Sequence, residues 1–241
     1  MKISVIVPAF NEEKLLGDSL AEIKAAARAL LARGWQFELV VCDNNSTGRT
    51  AAIARAAGAK VVFEPVNQIG RARNSGAASA SGDWLVFVDA DSHPSEKLFA
   101  EVADQIAAGR CLAGGVVVRM DEVNFTARLL TQLWTLISRW GKLMAGSFIF
   151  VEAAAFRQIG GFSHKLYAGE EIDLSQRLKK LARAQGRRLV ILNRHPLKTS
   201  ARKLKLYTSR EIFTFFIRAV FNRRRMLGSR EAAHIWYDGR R

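Results

Sequence analysis

Apolar and polar positions along this chain fall into blocks whose period switches back and forth. Residues 3–7 form a short β-branched run, Ile-Ser-Val-Ile-Val, which predicts a strand. Residues 12–31 then carry Leu15, Leu16, Leu20, Ile23, Ala27 and Leu30 at helical spacing and stop at Gly34. The exchange repeats with a strand at 37–42, an alanine-rich helix at 50–57 closed by Gly58, and a strand at 60–63. A helix of small residues at 69–79 and a strand at 84–88 follow. Strands that alternate with helices imply a doubly wound, mostly parallel sheet flanked by helices. Right-handed crossovers then bring the C-terminal ends of the strands to one rim.

Beyond residue 92 the pattern predicts helices at 95–108, 125–140, 153–159, 174–184 and 206–221, with strands at 112–120, 146–151 and 188–192. There is no internal repeat and no linker rich in Pro or Ser. The reading is one domain over residues 1–200 followed by a basic, aromatic helical extension over 201–241. The 241 residues suffice for a sizeable core, and 49% hydrophobic with 24% charged residues is ordinary for a soluble fold. No run of about 18 uncharged apolar residues occurs; residues 129–151 come nearest but contain Arg139 and Lys142. The N-terminus lacks the basic start and cleavage site of a signal peptide. The two cysteines, Cys42 and Cys111, show no motif spacing, which suits reduced thiols in the cytoplasm.

Charge changes the picture only at the C-terminal end. Residues 177–241 hold 19 Lys and Arg against 3 Asp and Glu, whereas residues 1–176 hold 18 against 19, so the net +15 belongs to the last quarter. Such a block attracts phosphorylated substrates, anionic membrane or nucleic acid, or is simply a solvated tail. The stripe of Ile212, Phe213, Phe216, Ile217 and Val220 running into Arg223-Arg224-Arg225 suits either docking on the core or an anionic membrane interface.

Candidate chemistry concentrates at the predicted strand ends. The 84–88 strand runs into Asp89-Ala90-Asp91, and two acids at a strand's C-terminal end suit a hard divalent cation shared with substrate phosphates. Acids are also common in turns. The first strand ends in Pro8-Ala9-Phe10-Asn11-Glu12-Glu13, which fits a strand-to-helix turn with acids at the helix start. The second ends in Asp43-Asn44-Asn45-Ser46-Thr47, either a helix cap or an acceptor for ribose or base. After the third comes Gly70-Arg71-Ala72-Arg73-Asn74, where arginines at a helix start can clamp phosphate.

Taken together, VIVPAFNEE, VVCDNNSTGRT and GRARNSGAASASGDWLVFVDADSHP resemble the successive motifs of family 2 glycosyltransferases with a GT-A fold, over roughly residues 1–195. The resemblance implies metal-dependent, inverting sugar transfer from a nucleoside diphosphate sugar of UDP or GDP type to a glycan, lipid or small-alcohol hydroxyl, with Mn²⁺ or Mg²⁺. It implies that Pro8, Asn11 and Glu12 line the nucleoside pocket and that Asp43 reads the base. Arg73 and Asn74 would lie near the nucleotide, Asp89 would face the ribose side, and Asp91 would bind the metal. Gly169-Glu170-Glu171 resembles the family's Gly-Glu-Asp motif, whose last acid is the catalytic base. Glu171 stands here where the family has Asp, and Asp173 is a possible substitute. Gly146-Ser147-Phe148 and Gly160-Gly161-Phe162 resemble the acceptor side, where small residues let a sugar or alcohol approach the backbone. His195 is a candidate third metal ligand, and imidazole favours Mn²⁺.

Three rivals differ in class. A sugar nucleotidyltransferase would carry a glycine-rich first loop, and residues 7–13 contain no glycine. A nucleic-acid-binding module would leave the acidic rim unexplained, so no nucleic acid is expected as a partner. A degenerate transferase that binds nucleotide without turnover is kept open by Glu171.

Overall fold

Lys2–Ala9 forms strand β1, and its residues from Ile3 to Ala9 are buried. Pleating sends Ile3, Val5 and Val7 to one face of the sheet and Ile6 to the other, so β1 has a core on each side. Trp84–Val88 (β4) divides in the same way, with Val86 and Val88 on the first face and Leu85 and Phe87 on the second. Each fully buried aliphatic or aromatic side chain contributes about 1.5–3 kcal/mol. A one-residue slip would exchange both faces at once, which fixes the register. The structure, a computed structural model, describes residues 1–120, 135–136 and 138–199. The predicted helix at 206–221 and the boundary at residue 200 lie outside the described residues, as does most of the predicted helix at 125–140.

Among the described residues, Gln36–Asp43 (β2) and Lys60–Phe63 (β3) complete a parallel half-sheet in the order β3-β2-β1-β4. Phe148–Glu152 (β7) then runs antiparallel to β4, followed by Cys111–Met120 (β6), Arg188–Thr199 (β8) and Ser92–His93 (β5). The α/β sheet flanked by helices is the expected class, with its parallel order confined to the first half and to the β6–β8 pair. Helices α1 (Leu16–Ala26), α2 (Arg28–Leu31) and α5 (Glu96–Ala107) contribute buried residues to the first face. Helices α4 (Ile69–Ser79), α6 (Ala153–Gln158) and α7 (Glu170–Ala184) flank the second, while α3 (Thr50–Ala56) packs beside α1 and β3.

Several boundaries moved for local reasons. The single helix predicted at 12–31 breaks at Ala27, whose carbonyl accepts from both Leu30 and Leu31 as the chain tightens. The strand predicted to end at Leu192 continues to Thr199, because β5 pairs with its last two residues. Pro196 is tolerated there beside a register irregularity between β6 and β8. Ser92 and His93, directly after Asp91, form that short strand β5. Both cysteines are buried and unpaired, and no described helix is long and apolar enough to cross a membrane.

Helix α4 lies unusually close to β1. A Cβ on Gly76 would sit 2.5 Å from Ile6 Cγ2, so only glycine permits this approach. That closeness carries the α4 residues Arg73 and Asn74 up to the rim of the sheet.

Candidate active site

In the strand order 3-2-1-4 the chain reverses direction of winding between β1 and β4, and it is outside the carboxyl ends at such a switch point that α/β sheets take ligands. The tips of three strands are level there. Ala9 pairs with Asp43, and Ile6 with Phe87, which leaves Asp89 two residues further along β4. Asn11 and Asn45 adopt left-handed backbone at φ 52° and 66°, a conformation asparagine tolerates in tight turns.

Side chains stitch these loops together. The Asn11 amide N–H donates to Ser46 Oγ at 2.9 Å, and the Thr47 amide donates to Asn11 Oδ1 at 2.9 Å. Asp43 Oδ1 accepts from the Ser46 amide at 3.0 Å. Asn44 donates to the carbonyls of Glu64 and Val66 and accepts from the Gln68 amide. Gln68 in turn donates to the carbonyls of His164 and Leu166 at 2.9 and 2.8 Å. Glu12 and Asp43 are buried at this rim, and Asp91 is 9% exposed.

The second acidic cluster comes to the same rim through α7. Its buried face runs Glu170, Leu174, Leu178, Ala182, so Glu170 holds a core position at four-residue spacing. Arg73 occupies the buried face of α4 in the same way. The two meet: Arg73 Nη1 donates to Glu170 Oε1 at 2.7 Å, while Nη2 donates to Asp89 Oδ1 and to the Gly146 carbonyl, each at 3.0 Å. The guanidinium also lies over the Phe162 ring, 5.2 Å from its centroid. Burial alone would push the Arg73 pKa down, but Asp89, Glu170 and Glu171 more than offset this and raise it, so the group stays charged.

Glu171 is the next residue of α7. Part of its surface reaches solvent, yet its carboxyl is poorly solvated. Burial first, then the adjoining Glu170 charge, push it up to about 8, while Arg73 pulls the other way. Asp173 differs, because its Oδ2 accepts from Arg177 Nε at 2.8 Å and lies 2.6 Å from Nη2 in an ion pair. Arg177 thus holds Asp173 from one helical turn on.

Several expected residues have protein partners instead. Asn74 is occupied with the 162–164 loop: Nδ2 donates to the Phe162 carbonyl and lies 2.7 Å from His164 Nε2, and Oδ1 accepts from the Phe162 amide. Gly161, at φ 67°, admits this contact, since a Cβ there would meet Asn74 Oδ1 at 2.6 Å. The small residues expected to admit an acceptor therefore serve Asn74 and Arg73. His195 Nδ1 faces Glu101 of α5 at 3.0 Å, and the residue lies four positions before Thr199, the partner of Ser92.

Residues 4–159, well over half of the chain, match the family model described as Glycosyl transferase family 2. The chain belongs to glycosyl transferase family 2. A curated relative in this family, an uncharacterized glycosyltransferase of Mycobacterium tuberculosis, is 35% identical over 141 residues, 54% of this chain and 60% of its own length. The chain thus spans less than two thirds of that relative. Among solved structures, S. aureus TarS 1–349 in complex with UDP-GlcNAc aligns at TM-score 0.64 and 21% identity, covering 98% of this chain and 69% of that one. The mannosyltransferase PcManGT from Pyrobaculum calidifontis, in complex with GDP-Man and Mn²⁺, aligns at 0.64 and 20% identity, covering 81% and 56%. These likenesses establish the family 2 fold, the GT-A sheet flanked by helices.

Glu170 and Gln68 were missed by sequence reasoning. Periodicity held the signal for Glu170, which lies in phase with Leu174 and Leu178. Nothing local marks Gln68, whose side-chain amide donates to carbonyls almost a hundred residues away.

Proposed function

We propose that this domain transfers a sugar from a nucleoside diphosphate sugar, UDP or GDP type, to an acceptor hydroxyl with inversion at the anomeric carbon. The observation that carries this reading is the approach of two acidic units to one rim. Asp89-Ala90-Asp91 at the end of β4 is joined through Arg73 to Glu170, next to Glu171. Pro8, Asn11 and Glu12 line the nucleoside side, and Asp43 accepts from the base. Asp89 faces the ribose.

The residues present fit a hard cation at Asp91. Among the described residues no three His, Cys, Asp or Glu side chains form a closed cage. Mg²⁺ and Mn²⁺ at nucleotide sites commonly use one or two carboxylates, with phosphate oxygens and water supplying the rest. When bound, the cation neutralises charge on the departing diphosphate. Glu171 accepts the acceptor's hydroxyl proton as general base. The freed oxygen forms the new bond to the anomeric carbon on the face opposite the leaving group, and the bond to the diphosphate oxygen breaks. Asp173 is the weaker candidate because Arg177 holds it.

The acceptor is a glycan, lipid or small alcohol. Exposed Arg183, Arg188, Arg194 and Lys198 support peripheral contact with an anionic membrane at the cytoplasmic face, tested by sedimentation with phosphatidylglycerol vesicles.

The decisive experiment is a thermal-shift panel of UDP, GDP and their sugars, each with and without Mn²⁺. Ligand at a hundredfold excess over its dissociation constant stabilises by about 2.7 kcal/mol, several degrees for a domain of this size. One nucleotide should stabilise the protein only with metal, and Asp91→Ala should remove that effect. Equal stabilisation with EDTA present would sink the metal assignment.

A further inference from the structure

We infer that Arg73 is a positioning residue that locks the nucleotide-side turn after β4 to the base-bearing first turn of α7, so that the two halves of the site keep one relative placement. This rests on the reading of Glu171 as base and goes beyond it, because it gives a role to the buried Arg73–Glu170 pair beside that base.

The geometry is specific. One guanidinium, on a side chain 2% exposed, bonds Asp89 just after β4, the Gly146 carbonyl just before β7, and Glu170 on α7. Three segments far apart in sequence thus share a single planar donor group, which a lysine's point charge cannot replicate. The triad is a poor device for stability alone, because buried ion pairs are often no better than apolar packing of the same volume. Here the Arg73 Nε–H also lacks a partner among the described residues. Its evident use is to fix where Asp89 and Glu170 sit. Glu171 inherits that placement through the helix backbone: Ser175 Oγ donates to its carbonyl at 2.7 Å and accepts from the Met144 amide at 3.0 Å. The charged groups acting on Glu171 are Glu170 on its own helix and Arg73 on α4, the latter tied to Asp89 just after β4.

The test uses the full chain, labelled with [13C]glutamate and free of metal. The Glu171 carboxyl is followed by NMR through a pH titration and assigned with Glu171→Gln. Calorimetry with UDP and GDP in the presence of Mn²⁺ supplies the second readout. Glu170→Gln keeps an acceptor for Arg73 but removes a charge, so the Glu171 midpoint should fall by on the order of one to three pH units. Arg73→Met should raise that midpoint. It should also weaken Mn²⁺-dependent nucleotide binding about 10–100-fold, the usual effect of losing a residue that orients such a site. Arg73→Lys should restore the midpoint without restoring nucleotide affinity. If Arg73→Met does not fold, Glu170→Gln and Arg73→Lys decide. An unmoved midpoint in folded Glu170→Gln, or full nucleotide affinity in Arg73→Lys, would overturn the inference. If neither nucleotide binds the unsubstituted protein, the donor reading fails, and the titration still judges the coupling by itself.

Discussion

Arg73 and Glu170, 97 residues apart in sequence, form a 2.7 Å ion pair whose side chains are 2% and 5% exposed. Removing one member of such a pair strands the other in low dielectric, which typically costs about 3–5 kcal/mol. Arg73→Met should therefore lower the urea midpoint markedly without a change in slope. Replacing both residues, as Arg73→Met with Glu170→Leu, should recover part of that loss, since the buried Glu170 charge is gone and Asp89, whose side chain is 27% exposed, keeps access to water. Similar stability of the single and double variants would show that the pair is not isolated from water.

The raised Glu171 pKa gives an activity profile with a defined sign. A general base works only when deprotonated, so transfer should rise with pH and level off above about 8. Glu171→Gln should cut the rate about 10²–10⁴-fold and abolish the rising limb. Stability should move the other way. The folded carboxyl holds its proton where the unfolded one, at an ordinary 4.5, has released it, so unfolding free energy falls as pH rises from about 4.5 to about 8. Denaturation of Glu171→Gln across that window checks both signs, because its curve should lack this decline.

Glu38, at the opposite end of the sheet, behaves conversely. Burial alone would raise its pKa, but bonds from Ser4, the Ser81 amide, Lys2 and the Ser81 hydroxyl hold it down to about 2. Its contribution is complete above the ordinary 4.5 and is lost as pH falls toward 2. Glu38→Gln should destabilise the protein at pH 7 and flatten the acid-denaturation curve between those values. An unchanged acid limb would mean these bonds do not persist in solution.

Gly76→Ala tests the approach of α4 to β1. The new methyl would sit 2.5 Å from Ile6 Cγ2, so α4 must lift or Ile6 must shift, at about 1–3 kcal/mol. The variant should lose stability, and because Arg73 rides on the same helix, metal-dependent nucleotide binding should weaken with it. Calorimetry on the folded variant reads the second effect. Ala77→Gly, one residue on and also buried, brings no clash and separates helix propensity from the approach itself.

Much of this was legible in the chain. The parallel half-sheet followed from four β-branched or aromatic runs separated by helical spacing, because a strand buried on both faces must be apolar throughout. The acids and amides at the strand ends could be read as a rim, because crossover handedness brings all parallel strand tips to one side. Even the burial of Glu170 was encoded in its phase with Leu174 and Leu178. What the sequence left undecided needed contacts between distant segments. Glu171 and Asp173 look alike as neighbouring acids at a helix start, and only packing revealed that Arg177 neutralises one while burial and Glu170 raise the other. His195 read as a metal ligand by its type, and only the fold placed its Nδ1 beside Glu101 of α5. Arg73 read as a phosphate clamp, and the fold turned it inward, because two acids from separate elements converge on it and a buried charge must be paired.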